Sequence, residues 1–255
     1  MANVDRPVRF FLSLLMVVVF LLSKASAKSL PTADHLLEKM RQNFSITGRY
    51  AEVSMNVVRG NRSEYIHFEI FAADANRLRL EVSRPPRVQG SAIVRNAAHL
   101  WVALPRLESV RHYPVKSGAF GDQTVFGSDL RLSDLFGSFE GYQATVMQGG
   151  HSEPLQLILV AIDKQTQLTV LLTPDELPDT ITVEEWTQGD KYVPVRRLQA
   201  LSWQGLDRKR YPDKLVVTDL VKPDRSTRVE ILYWVEGREF PENLFEKPEE
   251  RNIQP

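Results

Sequence analysis

GRYAEVSMNVVRGNRSEYIHFEIFAADANRLRLEVSR, residues 48–84, decides the fold class. Its apolar residues recur at every second position. Ala51, Val53, Met55 and Val57 alternate with Glu52, Ser54 and Asn56. After the turn sequence RGNR, Ile66, Phe68 and Ile70 alternate with Tyr65, His67 and Glu69. Leu78, Leu80 and Val82 then alternate with Arg77, Arg79 and Glu81. Successive strand side chains point to opposite faces, so each run has one apolar and one wet face. Three such runs joined by short turns predict an antiparallel meander, not a βαβ array.

The same reading extends outward. Strands are expected at GSAIVR, AHLWVAL, ESVRHY, YQATVMQ, LQLILVAID, LTVLLT, DTITVEEW, VPVRRLQALSW, DKLVVTDLV and STRVEILYWV, each bounded by Pro, Gly or Asp turns. Upstream, Leu36, Leu37, Met40 and Phe44 fall at helical spacing behind Pro31 and a candidate N-cap at Thr32. The expected fold is mainly β, a single curved antiparallel sheet forming an open half β-barrel with an N-terminal helix and one further short helix.

Arg6 and Arg9 precede an apolar run from Phe10 to Leu22, and Ala25–Ala27 supplies an A-x-A site. These are the parts of a secretory signal peptide. The run is shorter than the ~20 apolar residues that span a bilayer. Residues 1–27 are therefore expected to be cleaved, an uncleaved anchor being the alternative. Residues 28–255 are expected to form one domain with a loose tail from about residue 246. The chain has no cysteine, which excludes a lipid-attachment Cys, a disulfide and a thiolate metal site. The leader holds Arg6, Arg9 and Lys24 against Asp5, leaving 29 basic and 31 acidic residues beyond it. No basic cluster argues for nucleic acid.

The one clear interruption of the strand pattern is VFGSDLRLSDLFG, residues 125–137. Its serines, aspartates and glycines could belong to an active site or to a capped helical turn. Ser128 or Asp129 can cap a short helix with Leu130, Leu132, Leu135 and Phe136 on its apolar side, ended by Gly137. Asp134 could cap a last turn or pair with a base. Catalysis needs a partner base or a ligand cluster, and the local sequence offers neither, which favours the structural reading. There is no G-x-S-x-G elbow, Walker loop or G-x-G-x-x-G. His35, His67, His99, His112 and His151 are scattered without H-x-H or H-E-x-x-H spacing, and read as surface histidines. Glu184 and Glu185 are adjacent on a strand and point to opposite faces, which argues against a carboxylate pair. No metal, cofactor or enzymatic activity is expected. An apolar sheet face with few helices to cover it admits a cavity for an apolar ligand.

The segment HLWVALPRLESVRHYPVKSGAFGDQTVFGSDLRLSDLFG, residues 99–137, resembles the diagnostic stretch of the LolA-like, outer-membrane lipoprotein-sorting family. The matching features are Trp101, Leu104–Pro105, Val110–Arg111, Gly127–Ser128–Asp129 and Asp134. The C-terminal DKLVVTDLVKPDRSTRVEILYWVEGREFPENLF is similar to the family's ending. The resemblance implies an open barrel capped by helices in the bacterial periplasm, sheltering lipoprotein acyl chains or another lipid on the way to the outer membrane. It also implies a carrier that can accompany inner-membrane exporters of the resistance-nodulation-division (RND) type. The leader and the missing lipid-attachment Cys predict a soluble protein without a lipid anchor, and a monomer is expected. On this reading Val53, Met55, Val57, Phe68, Ile70, Leu78, Leu80 and Trp101 line the cavity. Gly127, Ser128, Asp129, Leu132, Asp134, Leu135 and Phe136 form a capped helical lid over the concave face. The competing reading is a non-catalytic module, with a filled interior, that docks on an RND-type exporter or other envelope partner. A hydrolase with a dispersed site is third.

Overall fold

A computed structural model describes residues 31–44, 47–115, 123–136, 139, 141–147, 153–206 and 209–248. The leader, Gly137 and the chain from residue 249 lie outside the described residues, as does most of the expected tail. Internal contacts divide the chain into Met1–Thr32, of which only residues 31 and 32 are described, and Ala33–Pro255, which carries every described element. Among the described residues no helix is long and apolar enough to cross a membrane.

Among the described residues, thirteen strands form one antiparallel sheet. They are β1 (Arg49–Arg59), β2 (Arg62–Asp74), β3 (Arg77–Arg84), β4 (Ala92–Asn96), β5 (His99–Leu104) and β6 (Ser109–Pro114), then β7 (Tyr142–Met147), β8 (Gln156–Ala161), β9 (Thr166–Leu172), β10 (Pro178–Thr187), β11 (Lys191–Leu206), β12 (Lys209–Asp219) and β13 (Arg225–Val235). The spatial order is β6-β5-β4-β3-β2-β1-β13-β12-β11-β10-β9-β8-β7. Each half is a run of hairpins, and β13 returns to pair with β1 in the middle. β6 and β7 are the two free edges, so the barrel is open. All the strands expected from alternation are present, and so is the N-terminal helix, α1 (Ala33–Phe44). The second helix, α2, is only Leu132–Phe136.

The register follows the apolar phase. Val53 faces Phe68, Met55 faces Ile66 and Ile70 faces Leu80 across the ladders. Val53, Met55, Val57, Phe68, Ile70, Leu78 and Leu80 are each at most 5% exposed and share one cluster. A slip of one residue would turn the whole set to water, and its burial at this depth holds the register. Each fully buried side chain of this size is worth about 1.5–3 kcal/mol.

The inner face carries two clusters. The first spans β1–β3, parts of β4 and β5, and β12 and β13, and takes in Val125, Leu130, Leu132 and Phe136 from the interrupting loop. The second joins β7–β10 to Leu36, Leu37 and Met40 of α1. Leu198 on β11 packs against both.

Trp101 is a correction. It was expected with the cavity-lining set, but Leu100 takes the inner phase of β5 and Trp101 the outer one. There it packs with Ala92, Val94, Ala103 and Val110. The C-terminal segment also lies on the outer face. The Phe240 ring is 5.9 Å from Phe71 and 6.2 Å from Phe245, and Phe245 is 1% exposed. The segment crosses Gly48, whose N–H and C=O bond Ala73 and Arg238. Gly48 has φ +57°, and a Cβ there would stand 2.7 Å from the Arg238 carbonyl oxygen. Both facts require glycine.

Candidate functional site

The loop 123–136 lies on the inner face and is tied to it by charge and by hydrogen bonds. Its first part is a tight reversal. Val125 N–H donates to Leu130 C=O at 2.7 Å, Leu132 N–H to Gln123 C=O at 3.1 Å, and Thr124 bridges Arg131. Phe126 and Gly127 at its tip both have positive φ. Ser128 is buried and works within this turn. Its Oγ donates to Val125 C=O at 2.6 Å and accepts from Leu130 N–H at 3.2 Å.

The expected capping is therefore corrected. Neither Ser128 nor Asp129 starts α2, which begins three residues after Asp129. Ser and Asp are cap-formers because their oxygens reach nearby backbone groups, and the same property builds turns. Asp134 does the capping instead. Its Oδ2 accepts the Arg131 N–H at 2.7 Å, the reach-back half of a capping box.

Partners distant in sequence hold the loop down. Arg196 on β11 pairs with Asp134 Oδ1 at 3.0 Å, with side chains only 8% and 5% exposed. The same guanidinium reaches the Asp129 carbonyl at 3.4 Å. Asp129 N–H donates to Thr227 Oγ1 of β13 at 3.2 Å, and Arg59 Nη2 donates to the Gly127 carbonyl. Phe68 meets Phe126 edge-on at 5.5 Å. Leu132 and Phe136 are 0% and 4% exposed, and Leu135 packs against the same cluster. The helix is thus embedded in the core, not peripheral to it.

The site calls divide accordingly. The structure brings the seven strand residues from Val53 to Leu80 under Leu132 and Phe136, and puts Trp101 elsewhere. Sequence reading missed Arg59, Arg196 and Thr227. Arg196 shares its face with Leu198, and Thr227 shares its face with Val229. A polar residue at an apolar phase was the available signal.

Asp129 carries a perturbed carboxylate. Burial, then the nearby Asp219, pushes its pKa up, against Arg225, Arg59 and Arg196, which pull it down. Its Oδ2 is buried without a hydrogen-bond partner among the described residues. A carboxyl with a raised folded pKa stabilises the fold below its unfolded pKa of about 3.9, and that stability is lost as pH rises through the folded value. Asp129→Asn is therefore expected to be more stable than wild type at neutral pH. The two should converge at about pH 3. Urea unfolding at both pH values checks this. Ser128→Ala, by contrast, is expected to lower stability by about 1 kcal/mol, the usual net worth of an intramolecular hydrogen bond. Its thermal melt should shift down without loss of cooperativity.

Helix α1 and loop 123–136 meet near Leu198. Between them a cleft of ≈ 30 Å³ remains, lined by Phe44, Asp134, Ile181, Leu198, Trp203 and Leu215 among others. That is room for about one water. Helix α1 is fastened beside it by Lys39–Glu176 at 2.7 Å and by Arg41 Nη2 to the Phe139 carbonyl at 3.2 Å. Among the described residues, no group of three or more His, Cys, Asp or Glu is placed to hold a metal.

One open antiparallel sheet, apolar on its inner face and covered there by a helix and a helical loop, defines a helix-capped half-barrel. This is the LolA-like fold. A LolA superfamily protein from Nitrosomonas europaea superposes with a TM-score of 0.66 at 14% identity, over 86% of this chain and 99% of that one. A domain assigned to outer-membrane lipoprotein sorting, from Vibrio parahaemolyticus, gives 0.64 at 16%, over 83% and 95%. A DUF1329 family protein from Desulfovibrio piger gives 0.66 at 14%, over 85% and 98%. No protein-family model and no curated protein matches the sequence.

Proposed function

We propose that the protein is a periplasmic carrier that shelters lipoprotein acyl chains, or another lipid, for transport toward the outer membrane. The observation that carries the reading is the seam at Leu198. There the two covers of a continuous apolar sheet face meet without merging, leaving the ≈ 30 Å³ cleft. Drawing loop 123–136 away would expose the first inner cluster and widen that cleft into an acyl-binding groove. The ties to be broken include Arg196–Asp134, Asp129–Thr227 and Arg59–Gly127, together with the burial of Leu132 and Phe136. An apolar groove of that kind takes acyl chains with little demand on their headgroup. The LolA-like fold supports the same reading.

The finer parts of the proposal rest on the sequence. They are a cleaved leader ending at Ala27, from the basic, apolar and A-x-A parts of residues 1–27, a monomeric state, and, from the resemblance of residues 99–137, an RND-type exporter as the partner at the inner membrane. Lining residues in the open state are Val53, Met55, Val57, Phe68, Ile70, Leu78 and Leu80, and the lid is Gly127 to Phe136. Catalysis has no part in it.

Native mass spectrometry of the protein purified from periplasm, with extraction of bound lipid, tests the reading. A copurifying acylated species is the expected result. Ligand-free protein that also refuses added lipid would sink it.

A further inference from the structure

The β5–β6 hairpin places two histidines together that the sequence keeps 13 residues apart. His99 Nδ1 lies 3.0 Å from His112 Nε2 on the outer face of the sheet. Both residues are exposed. Trp101 sits on the same face, stacked on His99 at 5.4 Å with planes 19° apart and 5.9 Å from His112. The register explains the meeting. Trp101 pairs directly with His112, and His99 and Trp101 share a phase two residues apart.

We propose that His99 and His112 form a surface site for a divalent transition-metal ion, with copper(II) the best fit. Imidazole nitrogens suit copper, nickel and zinc, and copper(II) binds most tightly of these to a given nitrogen site. The separation discriminates further. Two nitrogens 3.0 Å apart, each about 2.05 Å from a shared ion, subtend about 94° at it. That is close to the cis angle of a square-planar or tetragonal centre. A tetrahedral zinc would require the rings to move apart to about 3.3 Å.

Without metal this contact is a hydrogen bond, with a proton on one of the two facing nitrogens. Binding requires that proton to move to the outer nitrogen of its own ring, so that both facing nitrogens are bare and both outer ones carry protons. Those outer N–H groups point away from the pair and can be hydrated. Among the described residues no third His, Asp, Glu or Cys completes a cluster. Water therefore fills the remaining positions and the ion exchanges readily. Trp101 packs with Val94 and Val110 and holds its ring beside His99, which limits the imidazole's freedom. This site is on the opposite face from the proposed lipid groove and is independent of it.

Titration of the whole protein with CuCl2 in a non-coordinating buffer tests the proposal, read by calorimetry, tryptophan emission and copper EPR. Wild type should bind one copper per chain saturably, quench Trp101 and show two nitrogen ligands. His99→Gln and His112→Gln should each weaken binding more than ~10-fold, the least effect seen on losing even an outer partner of a metal ligand. Trp101→Phe should remove most of the quenching while calorimetric binding persists. His67→Gln, on another strand, should behave as wild type. Both site histidines are exposed, so circular dichroism should be unchanged. No saturable binding by wild type would overturn the proposal, as would binding unaltered in both histidine variants.

Discussion

Asp134→Ala is expected to destabilise the fold by about 3–5 kcal/mol while tightening its apparent affinity for an apolar ligand. The first effect follows from burial. Removing one partner of a buried ion pair leaves the other charge uncompensated, and that is the large cost. Arg196 is 6% exposed and loses its Asp134 contact, and α2 loses the bond from Arg131 N–H. The second effect follows from linkage. If ligand binds only the open state, apparent affinity scales with the open fraction. Every 1.4 kcal/mol removed from loop docking raises that fraction about tenfold until the open state dominates. Urea unfolding and titration with an apolar fluorescent probe measure the two arms. A destabilised variant with weaker binding would mean that the loop is part of the binding surface and not its cover.

Ile181→Glu probes the groove from the side that does not move. Ile181 is half-buried on β10, faces Leu198 on β11 and lines the seam. Asp134 and Asp179 line the same cleft, so a new carboxylate meets like charge. A glutamate on a half-buried strand position can reach water, so folding should survive. An acyl chain laid across it loses contact with several methylenes. At about 0.8 kcal/mol each, four methylenes amount to about 3 kcal/mol, or roughly a 100-fold loss of affinity. Probe titration beside a thermal melt separates the two effects. Unchanged affinity in a folded variant would move the site away from the seam.

What was legible in the sequence was whatever a local period could encode. The strands of residues 48–84 announce themselves because each face of the meander has one chemical character. The stripe Leu36, Leu37, Met40 likewise gives α1 and the face it buries. Strand β5 shows the limit. In HLWVAL both phases are apolar, because Leu100 enters the inner cluster while Trp101 joins the outer one with Ala103. Alternation then identifies the strand but not which side faces in. Loop 123–136 shows another limit. Ser128 and Asp129 have cap chemistry, and only the reversal from Val125 to Leu130 spends it on a turn. The fastening of the loop was beyond reach of local reading, since Arg196 and Asp134 stand 62 residues apart and Asp129 and Thr227 stand 98 apart. The histidine pair was hidden for the same reason: spacing along the chain says nothing about a diagonal across a hairpin.

The central claim is that the covered sheet face opens to take an acyl chain. It is tested most directly by titrating the full wild-type chain with a fluorescent triacylated lipopeptide, alongside the same peptide without acyl chains. The account predicts saturable binding at one lipopeptide per chain, none with the unacylated peptide, and about 100-fold weaker binding by Ile181→Glu. Wild-type protein that is folded by its melt yet binds no acylated ligand would contradict it.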